Sequence, residues 1–247
     1  MDKTILSVNN VSYMYPDGFM AIRNISFQVQ NGSTVGIIGS NGAGKSTLIK
    51  LITGLINAEN GEIFVDGIKV SRKSLNQIRQ KIGVVFQNPD NQLFMPTVYE
   101  DAAFAPRNFG MTEQQVEAAV NSSLEQMGIA HLRNKAPFKL SGGEKRAAAI
   151  AGVLAYSPEL LIMDEPTAEL DPKARRRFIT MAQSLKMTKI IASHDLDMVY
   201  DLCDKIIIIC DGNKFAEGGK ELLTDNELMQ SCNLEMPLAF QKISDNN

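Results

Sequence analysis

A glycine-rich string has the residue types and spacing of a phosphate-binding loop. Residues 39–47 read Gly39, Ser40, Asn41, Gly42, Ala43, Gly44, Lys45, Ser46 and Thr47. Its three glycines allow positive φ and let successive backbone N–H groups approach phosphate oxygens at the positive end of a following helix. Lys45 would reach the β and γ phosphates, Ser46 would bind Mg²⁺, and Thr47 would donate near the α phosphate. The string therefore predicts a nucleoside triphosphate and Mg²⁺ as ligands.

The stretches on either side of this string have the expected character. Residues 34–38 form an apolar run that predicts a buried strand, and residues 46–52 predict the opening of a helix. A phosphate-binding loop requires this order of strand, glycine loop and helix. A glycine-rich turn with a solvated lysine is the alternative, which this context disfavours.

Two adjacent acids follow another apolar run. Residues 160–163 predict a buried strand that ends in Asp164 and Glu165. We predict that Asp164 holds Mg²⁺, directly or through water, and that Glu165 is the general base that orients and deprotonates the attacking water. Capping of the next helix is the alternative role for adjacent acids at a strand end.

Three further residues complete the predicted site. Gln87 follows the strand predicted at residues 83–86, and its amide would bind Mg²⁺ or the attacking water. His194 ends a later apolar strand and would hydrogen-bond a γ-phosphate oxygen. Tyr15 is the aromatic residue that we expect to stack on adenine, but Tyr13 lies on the same strand face and stays a competing candidate. Core or edge positions are the ordinary alternative for both tyrosines.

The order of apolar runs indicates an α/β core with a largely parallel sheet. The runs cover residues 5–8, 34–38, 83–86, 160–163, 189–192 and 206–209. Between them, residues 112–127 and 143–156 predict an amphipathic helix and an alanine-rich helix, which indicates an inserted helical subdomain. Residues 214–217 are expected to return as an edge strand after a turn.

We therefore predict a single domain over residues 1–247. Its nucleotide-binding core would comprise residues 1–87 and 157–215, its helical subdomain residues 88–156, and its short helical tail residues 216–247.

Composition argues against several classes of protein. The 25 basic and 28 acidic side chains nearly balance, so we expect no nucleic-acid partner. The sequence has no apolar run near the roughly 18 residues of a membrane span and no secretory signal pattern, so we expect a cytoplasmic chain.

The three cysteines, Cys203, Cys210 and Cys232, form no C-x-x-C pair, which argues against a disulfide framework or a zinc site. The basic cluster at residues 173–177 is interpreted as a solvated helix face.

The residues named above, followed by the signature-like string Leu140, Ser141, Gly142, Gly143 and Glu144 and by Asp171, stand in the order of an ABC transporter ATPase subunit. The chain resembles that family over nearly its whole length. Within the family, residues 86–101 and the tail at 221–238 are similar to energy-coupling-factor importers, most of all to their cobalt/nickel branch. A vitamin importer of the same type stays an alternative.

The resemblance implies a P-loop NTPase fold of the RecA-like kind, with an N-terminal antiparallel β region and an inserted helical subdomain. It implies an ATPase that uses ATP and Mg²⁺, lies at the cytoplasmic face of the cell membrane and drives integral membrane subunits. It also implies an ATP sandwich, in which the signature string of one chain faces the ATP of another and Asp171 contacts the partner chain. A homodimer would have two competent sites, and a paired paralogue stays open.

Three positions need separate comment. The apolar trio at residues 93–95 is expected to contact the membrane subunit, with internal packing as the alternative. Glu144 stands where glutamine is commonest in the family, which keeps an acceptor for ribose hydroxyls but adds charge. Glu169 stands where a small residue is usual, and its carboxylate would repel phosphate or meet the arginines at 175–177.

Two other functional classes compete with transport. A soluble ABC ATPase of DNA repair or translation would carry tandem cassettes or long coiled-coil insertions, and the sequence shows neither. A non-hydrolysing nucleotide switch is disfavoured by Glu165 and His194. With His131 as the only other histidine, the sequence shows no transition-metal site, so cargo selection is expected in the membrane subunits.

Overall fold

The computed structural model describes residues 3–241; residues 1–2 and 242–247, which include the end of the predicted tail, lie outside the described residues. In chain order, the strands and helices are β1 (Thr4–Met14), β2 (Met20–Gln30), β3 (Thr34–Ile38), α1 (Lys45–Ile52), β4 (Asn60–Val65), β5 (Ile68–Lys69), α2 (Leu75–Lys81), β6 (Ile82–Val85), α3 (Val98–Asn108), α4 (Glu113–Gln126), α5 (Gly142–Leu154), β7 (Leu160–Asp164), α6 (Pro172–Ser184), β8 (Thr188–Ala192), α7 (Leu196–Leu202), β9 (Lys205–Cys210), β10 (Asn213–Gly218) and α8 (Asn226–Ser231).

Contacts divide the chain into two compact units. The first unit comprises Met1–Leu75 and Met187–Asn247, and the second comprises Asn76–Lys186. The predicted helical subdomain lies inside the second unit, which also holds strands β6 and β7. The predicted boundary at residue 216 falls inside β10, because this strand extends to Gly218.

The first unit contains two sheet regions. One is antiparallel in the order β2-β1-β4-β5, so the run at residues 5–8, which we assigned to a largely parallel sheet, instead pairs antiparallel with β2 and β4. In the other region, β3 lies between β8 and β9 and is parallel to both, and β10 pairs antiparallel with β9. All residues of β3 and β8 are buried, which explains the apolar character of both strands beyond the Thr34 of β3 and the Thr188 and Lys189 of β8.

The second unit combines a parallel strand pair with packed helices. Strands β6 and β7 pair in register, with Ile82 opposite Leu160 and Val85 opposite Met163. Helices α3, α4 and α5 share one apolar core, built from alanine and branched aliphatic side chains. Thr97 caps α3, and Thr112 with Gln115 forms a capping box at the start of α4.

Two glycines of the second unit provide a test of this packing. A Cβ atom on Gly83 in β6 would lie 2.1 Å from Cγ1 of Val153, whereas a Cβ atom on Gly152 in α5 would lie an ordinary 3.6 Å from Cα of Ala102. We expect Gly83→Ala to lower the free energy of unfolding by about 1–3 kcal/mol through overpacking. Gly152→Ala should raise it by about 0.5–1 kcal/mol, because alanine is the better helix former.

Denaturant unfolding of the two full-length variants and the wild type measures both effects. Equal stability of the Gly83→Ala variant and the wild type would contradict the close approach of α5 to β6.

Candidate functional site

The glycines of the predicted phosphate loop serve two different purposes. Gly42 and Gly44 have positive φ, 82° and 111°, a region that residues with a Cβ rarely occupy. Gly39 does not have positive φ, which corrects our expectation for this glycine. It is required instead by close approach, since a Cβ atom there would lie 2.3 Å from the carbonyl oxygen of Ile209.

Lys45 is buried at the start of α1, and its ammonium group donates to carbonyl oxygens of the loop. The distances from Nζ are 2.7 Å to the oxygen of Gly39 and 3.2 Å to that of Ser40. The helix begins after Gly44, which has no side chain to cap the first N–H groups. A cation and the positive end of a helix therefore meet at this loop, as an anion site requires.

Tyr15 lies beside the loop. Its hydroxyl is 3.1 Å from Oγ1 of Thr47, in the first turn of α1. The ring of Tyr13 packs edge-on against that of Tyr15, with 5.0 Å between the centroids. Of the two candidates for adenine stacking, Tyr15 contacts the phosphate loop through Thr47, and Tyr13 packs against the ring of Tyr15.

His194 and the phosphate loop line the same cavity, which has a volume of about 390 Å³. His194 is exposed, and the cavity is lined by Gly39, Ser40 and Asn41 on the loop side. The sequence did not predict that the tail also lines this cavity, through residues that include Glu235. The tail is held near α7 by Phe240, whose ring centroid lies 4.9 Å from that of Tyr200.

In the second unit, the two acids stand at the end of β7 as predicted. Asp164 is the last residue of the strand and Glu165 follows it, and both side chains are largely buried. Glu165 has a φ of 44°, in the left-handed region. A residue with a Cβ in that region carries strain of about 1–2 kcal/mol, and such strain collects at functional sites.

Gln87 follows β6, and Arg146 of α5 holds its backbone. Nη1 of Arg146 donates to the carbonyl oxygen of Phe86 and Nη2 to that of Gln87, each at 2.6 Å. The Arg146 side chain is only 3 % exposed. Burial lowers the pKa of its guanidinium, and the nearby negative charge of Glu169 opposes that shift. Sequence reasoning missed Arg146; a single arginine on the buried stripe of an alanine-rich helix was the available signal.

The loop beyond Gln87 is fixed at two more points. Nε2 of Gln92 donates to the carbonyl oxygens of Val84 and Ala149, at 3.2 and 3.3 Å. Oδ1 of Asp101, in α3, accepts from the backbone N–H groups of Phe94 and Met95, each at 3.0 Å. Burial raises the pKa of Asp101, and these two hydrogen bonds act in the opposite direction.

The signature-like string starts helix α5. Ser141 is the N-cap, and it forms a capping box with Glu144, whose Oε2 accepts from the Ser141 N–H at 2.8 Å. This hydrogen bond is the largest cause of the lowered pKa of Glu144. The carboxylate that we expected to serve ribose hydroxyls is therefore engaged in capping, a role that the Ser-Gly-Gly-Glu spacing itself could have predicted.

Asp171 caps the next helix. Its Oδ1 accepts from the N–H groups of Lys173 and Ala174 at 2.8 and 2.9 Å, so it fixes the start of α6. The start of α5 and the start of α6 line one cavity of about 740 Å³. The role of Asp171 at a partner chain stays a prediction.

The predicted Mg²⁺ ligands have suitable chemistry. Ser46, Gln87 and Asp164 offer hydroxyl, amide and carboxylate oxygens, the donor types that Mg²⁺ prefers. Ser46 belongs to the first unit and the other two to the second. Within residues 3–241, no group of three or more His, Cys, Asp and Glu side chains could hold a metal ion. No helix in that part of the chain is both long and apolar enough to cross a membrane.

Known proteins share this fold. The chain is 43 % identical over 239 residues to an energy-coupling factor transporter ATP-binding protein of Methanothermobacter thermautotrophicus, with 94 % of this chain and 77 % of the relative covered. Its structure superposes on that of cbiO1 of Clostridium perfringens, part of the ABC transporter complex cbiONQ, with a TM-score of 0.83, 38 % identity and coverage of 94 % and 95 %. It also matches a dimeric ATP-binding cassette in a post-hydrolysis state bound to ADP and phosphate, with a TM-score of 0.80, 27 % identity and coverage of 87 % and 99 %.

These similarities confirm the ABC ATPase cassette fold and the resemblance to the ATP-binding subunits of energy-coupling-factor importers. The profile of the ABC transporter family matches residues 22–168, which include the phosphate loop, the signature-like string and the acid pair. The chain therefore belongs to the ATP-binding, ATP-hydrolysing subunits of ABC transporters.

Proposed function

We propose that this chain is the ATPase subunit of an energy-coupling-factor importer for cobalt or nickel ions, bound at the cytoplasmic face of the membrane. The observation that carries the proposal is similarity over 94 % of the chain to cbiO1, which is part of the ABC transporter complex cbiONQ. The relative from Methanothermobacter thermautotrophicus, named for an energy-coupling factor transporter, supports the importer type. The described residues offer no group of three or more His, Cys, Asp and Glu side chains that could hold a metal ion. We therefore assign ATP hydrolysis to this chain and selection of the transported ion to the membrane subunits.

The hydrolytic roles follow from the polar groups at the strand ends. The helix start at α1 and Lys45 bind the phosphates, and Ser46, Gln87 and Asp164 would hold Mg²⁺. When bound, Mg²⁺ neutralises charge on the β and γ phosphates. Glu165 orients and deprotonates the attacking water, and His194 hydrogen-bonds the γ phosphate.

A second copy of the chain would complete the site. The signature-like string lies at the start of α5, where backbone N–H groups and the helix dipole favour an anion such as the γ phosphate of a partner's ATP. The dimeric cassette with bound ADP and phosphate supports this arrangement. Closure of two chains over ATP would exclude bulk solvent from the site while the attacking water stays bound, so that hydrolysis is coupled to opening of the dimer.

Replacement of the proposed base tests the mechanism. We expect Glu165→Gln to bind Mg-ATP, to accumulate as a dimer and to hydrolyse ATP at least about a hundredfold more slowly than the wild type, since a general base contributes roughly 10²–10⁴. Size-exclusion chromatography with light scattering and a phosphate-release assay measure both properties.

Asp197→Asn is the control, because this acid lines the His194 cavity but has no proposed chemical role. A Glu165→Gln variant that hydrolyses ATP at the wild-type rate would exclude Glu165 as base. A variant that stays monomeric with ATP would contradict the homodimer.

Replacement of each tyrosine tests adenine stacking. Because Tyr15 contacts the first turn of α1, we expect Tyr15→Ala to weaken binding of a fluorescent ATP analogue by about tenfold, the value of one stacked aromatic ring. Tyr13→Ala should weaken it less, since this ring supports Tyr15 from the side. A larger loss for Tyr13→Ala would reverse the assignment.

An exposed aromatic pair suits contact with the membrane subunit. Of the predicted trio, Leu93 packs against the apolar core of the helices, whereas Phe94 is 64 % exposed. Phe94 stacks edge-on with Phe104 of α3, which is 45 % exposed, with 5.0 Å between the ring centroids. The proposed contact therefore consists of Phe94, on the loop that Asp101 holds in place, and Phe104 on helix α3.

We expect Phe94→Asp with Phe104→Asp to prevent co-purification of the chain with its membrane subunits while the melting temperature stays close to that of the wild type. Phe94 is mostly solvated and Phe104 about half solvated in the free chain, so the loss of both rings costs little stability. Phe215→Asp, at another half-exposed phenylalanine, is the matched control and should leave assembly intact. Normal assembly of the double variant would refute the proposed contact.

A further inference from the structure

Helix α5 carries two features that sequence motifs treat as separate. Its first turn is the signature-like string, capped by Ser141, and its second turn carries Arg146, which is bonded to the backbone of Gln87. The helix rises about 1.5 Å per residue, so these two points are roughly 7–8 Å apart along one rigid element. A shift of the helix start moves the guanidinium by a similar amount.

Arg146 is not the only contact between α5 and the loop after β6. Nζ of Lys145 pairs with Oδ1 of Asp90 at 2.6 Å, and the carbonyl oxygen of Ala149 accepts from Gln92. These contacts come from positions one and three residues away from Arg146 and continue along the loop that begins at Gln87. The loop and the helix are therefore fastened along one side of the helix, and Arg146 holds the end that bears Gln87.

The two hydrogen bonds from Arg146 need a guanidinium. Two nitrogen atoms of one planar group donate to two successive carbonyl oxygens, those of Phe86 and Gln87. An ammonium group presents its donors at a single point and does not bridge two carbonyls with the same fixed geometry. The contacts fix the direction of the backbone at Gln87, and hence the direction in which its side chain leaves the strand end.

We propose that Arg146 is a positioning residue that makes the Gln87 side chain follow the signature-like start of α5, so that hydrolysis proceeds only when that helix start is correctly placed. The inference rests on the proposed role of Gln87 in ATP hydrolysis. Arg146 touches neither nucleotide nor water in this assignment, and it acts through the Gln87 backbone.

Glu169 is a second residue whose charge acts on Arg146. Nε of Arg146 has no hydrogen-bond partner among the described residues, and the charge of Glu169 acts on the guanidinium. Both residues line the cavity between α5 and α6, and Glu169 lies two positions before Asp171. Glu169 has a φ of 64°, so this turn holds a carboxylate in a backbone conformation that a residue with a Cβ rarely adopts. The unusual acid therefore lies near Arg146, where it counterbalances a buried cation.

A double-mutant cycle tests the inference with the full chain and Mg-ATP. Arg146→Met should lower kcat by about tenfold or more, with KM for ATP changed less than about threefold, because a small displacement of a catalytic group costs rate rather than ground-state binding. Gln87→Ala should also lower kcat. In the Gln87→Ala background, Arg146→Met should cost little more, since the residue through which it acts is already gone.

Arg133→Met is the matched control. This arginine lies in the same unit, is partly buried, and donates to Asn121 at 2.6 Å without touching the loop after β6. We expect its variant to lose stability but to keep kcat, and to combine independently with Gln87→Ala. Hydrogen exchange of the peptide spanning residues 86–92 should accelerate in Arg146→Met and not in Arg133→Met.

Arg146→Lys keeps the charge and covers the case in which Arg146→Met does not fold. It should fold, with kcat still reduced, because one ammonium group does not hold both carbonyls. If the losses from Arg146→Met and Gln87→Ala simply multiply, or if Arg146→Lys has the wild-type kcat and exchange pattern, the positioning role is overturned. If Gln87→Ala itself leaves kcat unchanged, the proposed role of Gln87 fails, and the inference fails with it.

Discussion

Backbone packed directly against backbone is the constraint on which the phosphate loop depends. A Cβ atom on Gly44 would lie 2.7 Å from the carbonyl oxygen of Ala21, and one on Gly212 would lie 2.8 Å from the same oxygen. Hydrogen bonds join these segments, from the N–H of Gly212 to the oxygen of Ala43 at 3.1 Å and from the N–H of Arg23 to the oxygen of Gly212 at 2.7 Å. The start of β2 and the turn after β9 thus enclose the loop and fix where its N–H groups point before any ligand arrives.

In the second unit, the comparable constraint is the burial of charge. A buried guanidinium is unfavourable unless it is hydrogen-bonded, and a carbonyl group at the end of a strand loses its ladder partner. Arg146 and the carbonyls of Phe86 and Gln87 meet both needs at once. The helix starts are treated in the same way, with Ser141 and Asp171 bonded to first-turn N–H groups. Hydrogen bonding of polar groups, buried at Arg146 and exposed at the two helix starts, therefore positions residues of the proposed site.

The sequence predicted elements wherever one local signal dominated. Strand β3 was predicted with its observed bounds because every residue in it is buried, and α4 was predicted to within one residue because its amphipathic pattern is long. Strand β2 was not predicted, since exposed Arg23 and Asn24 interrupt its apolar pattern. Helix α3 was not predicted either, and Pro106 in its interior removes one backbone donor and breaks the helical pattern.

The site was predictable as a set of residue types but not as a set of contacts. Strand ends and glycine spacing place Asp164, Glu165 and the phosphate loop, because those signals are local in the chain. The need for Gly39 arises from Ile209, far away in sequence, and the role of Arg146 arises from carbonyls about sixty residues earlier. Such contacts exist only once the chain has folded, so composition and spacing do not reveal them.

The hydrogen bonds that Arg146 donates to the start of the loop after β6 end on the carbonyl oxygens of Phe86 and Gln87, a group that every amino acid possesses. The backbone direction at Phe86 and Gln87 is thus set by Arg146, whereas farther along the loop its own Asp90 and Gln92 side chains bond to α5. An exposed side chain that takes no part in these bonds, such as that of Phe94, can change without altering the course of the backbone. Surface residues of this loop can in this way be replaced to suit a different binding partner while the residues of the phosphate loop stay unchanged.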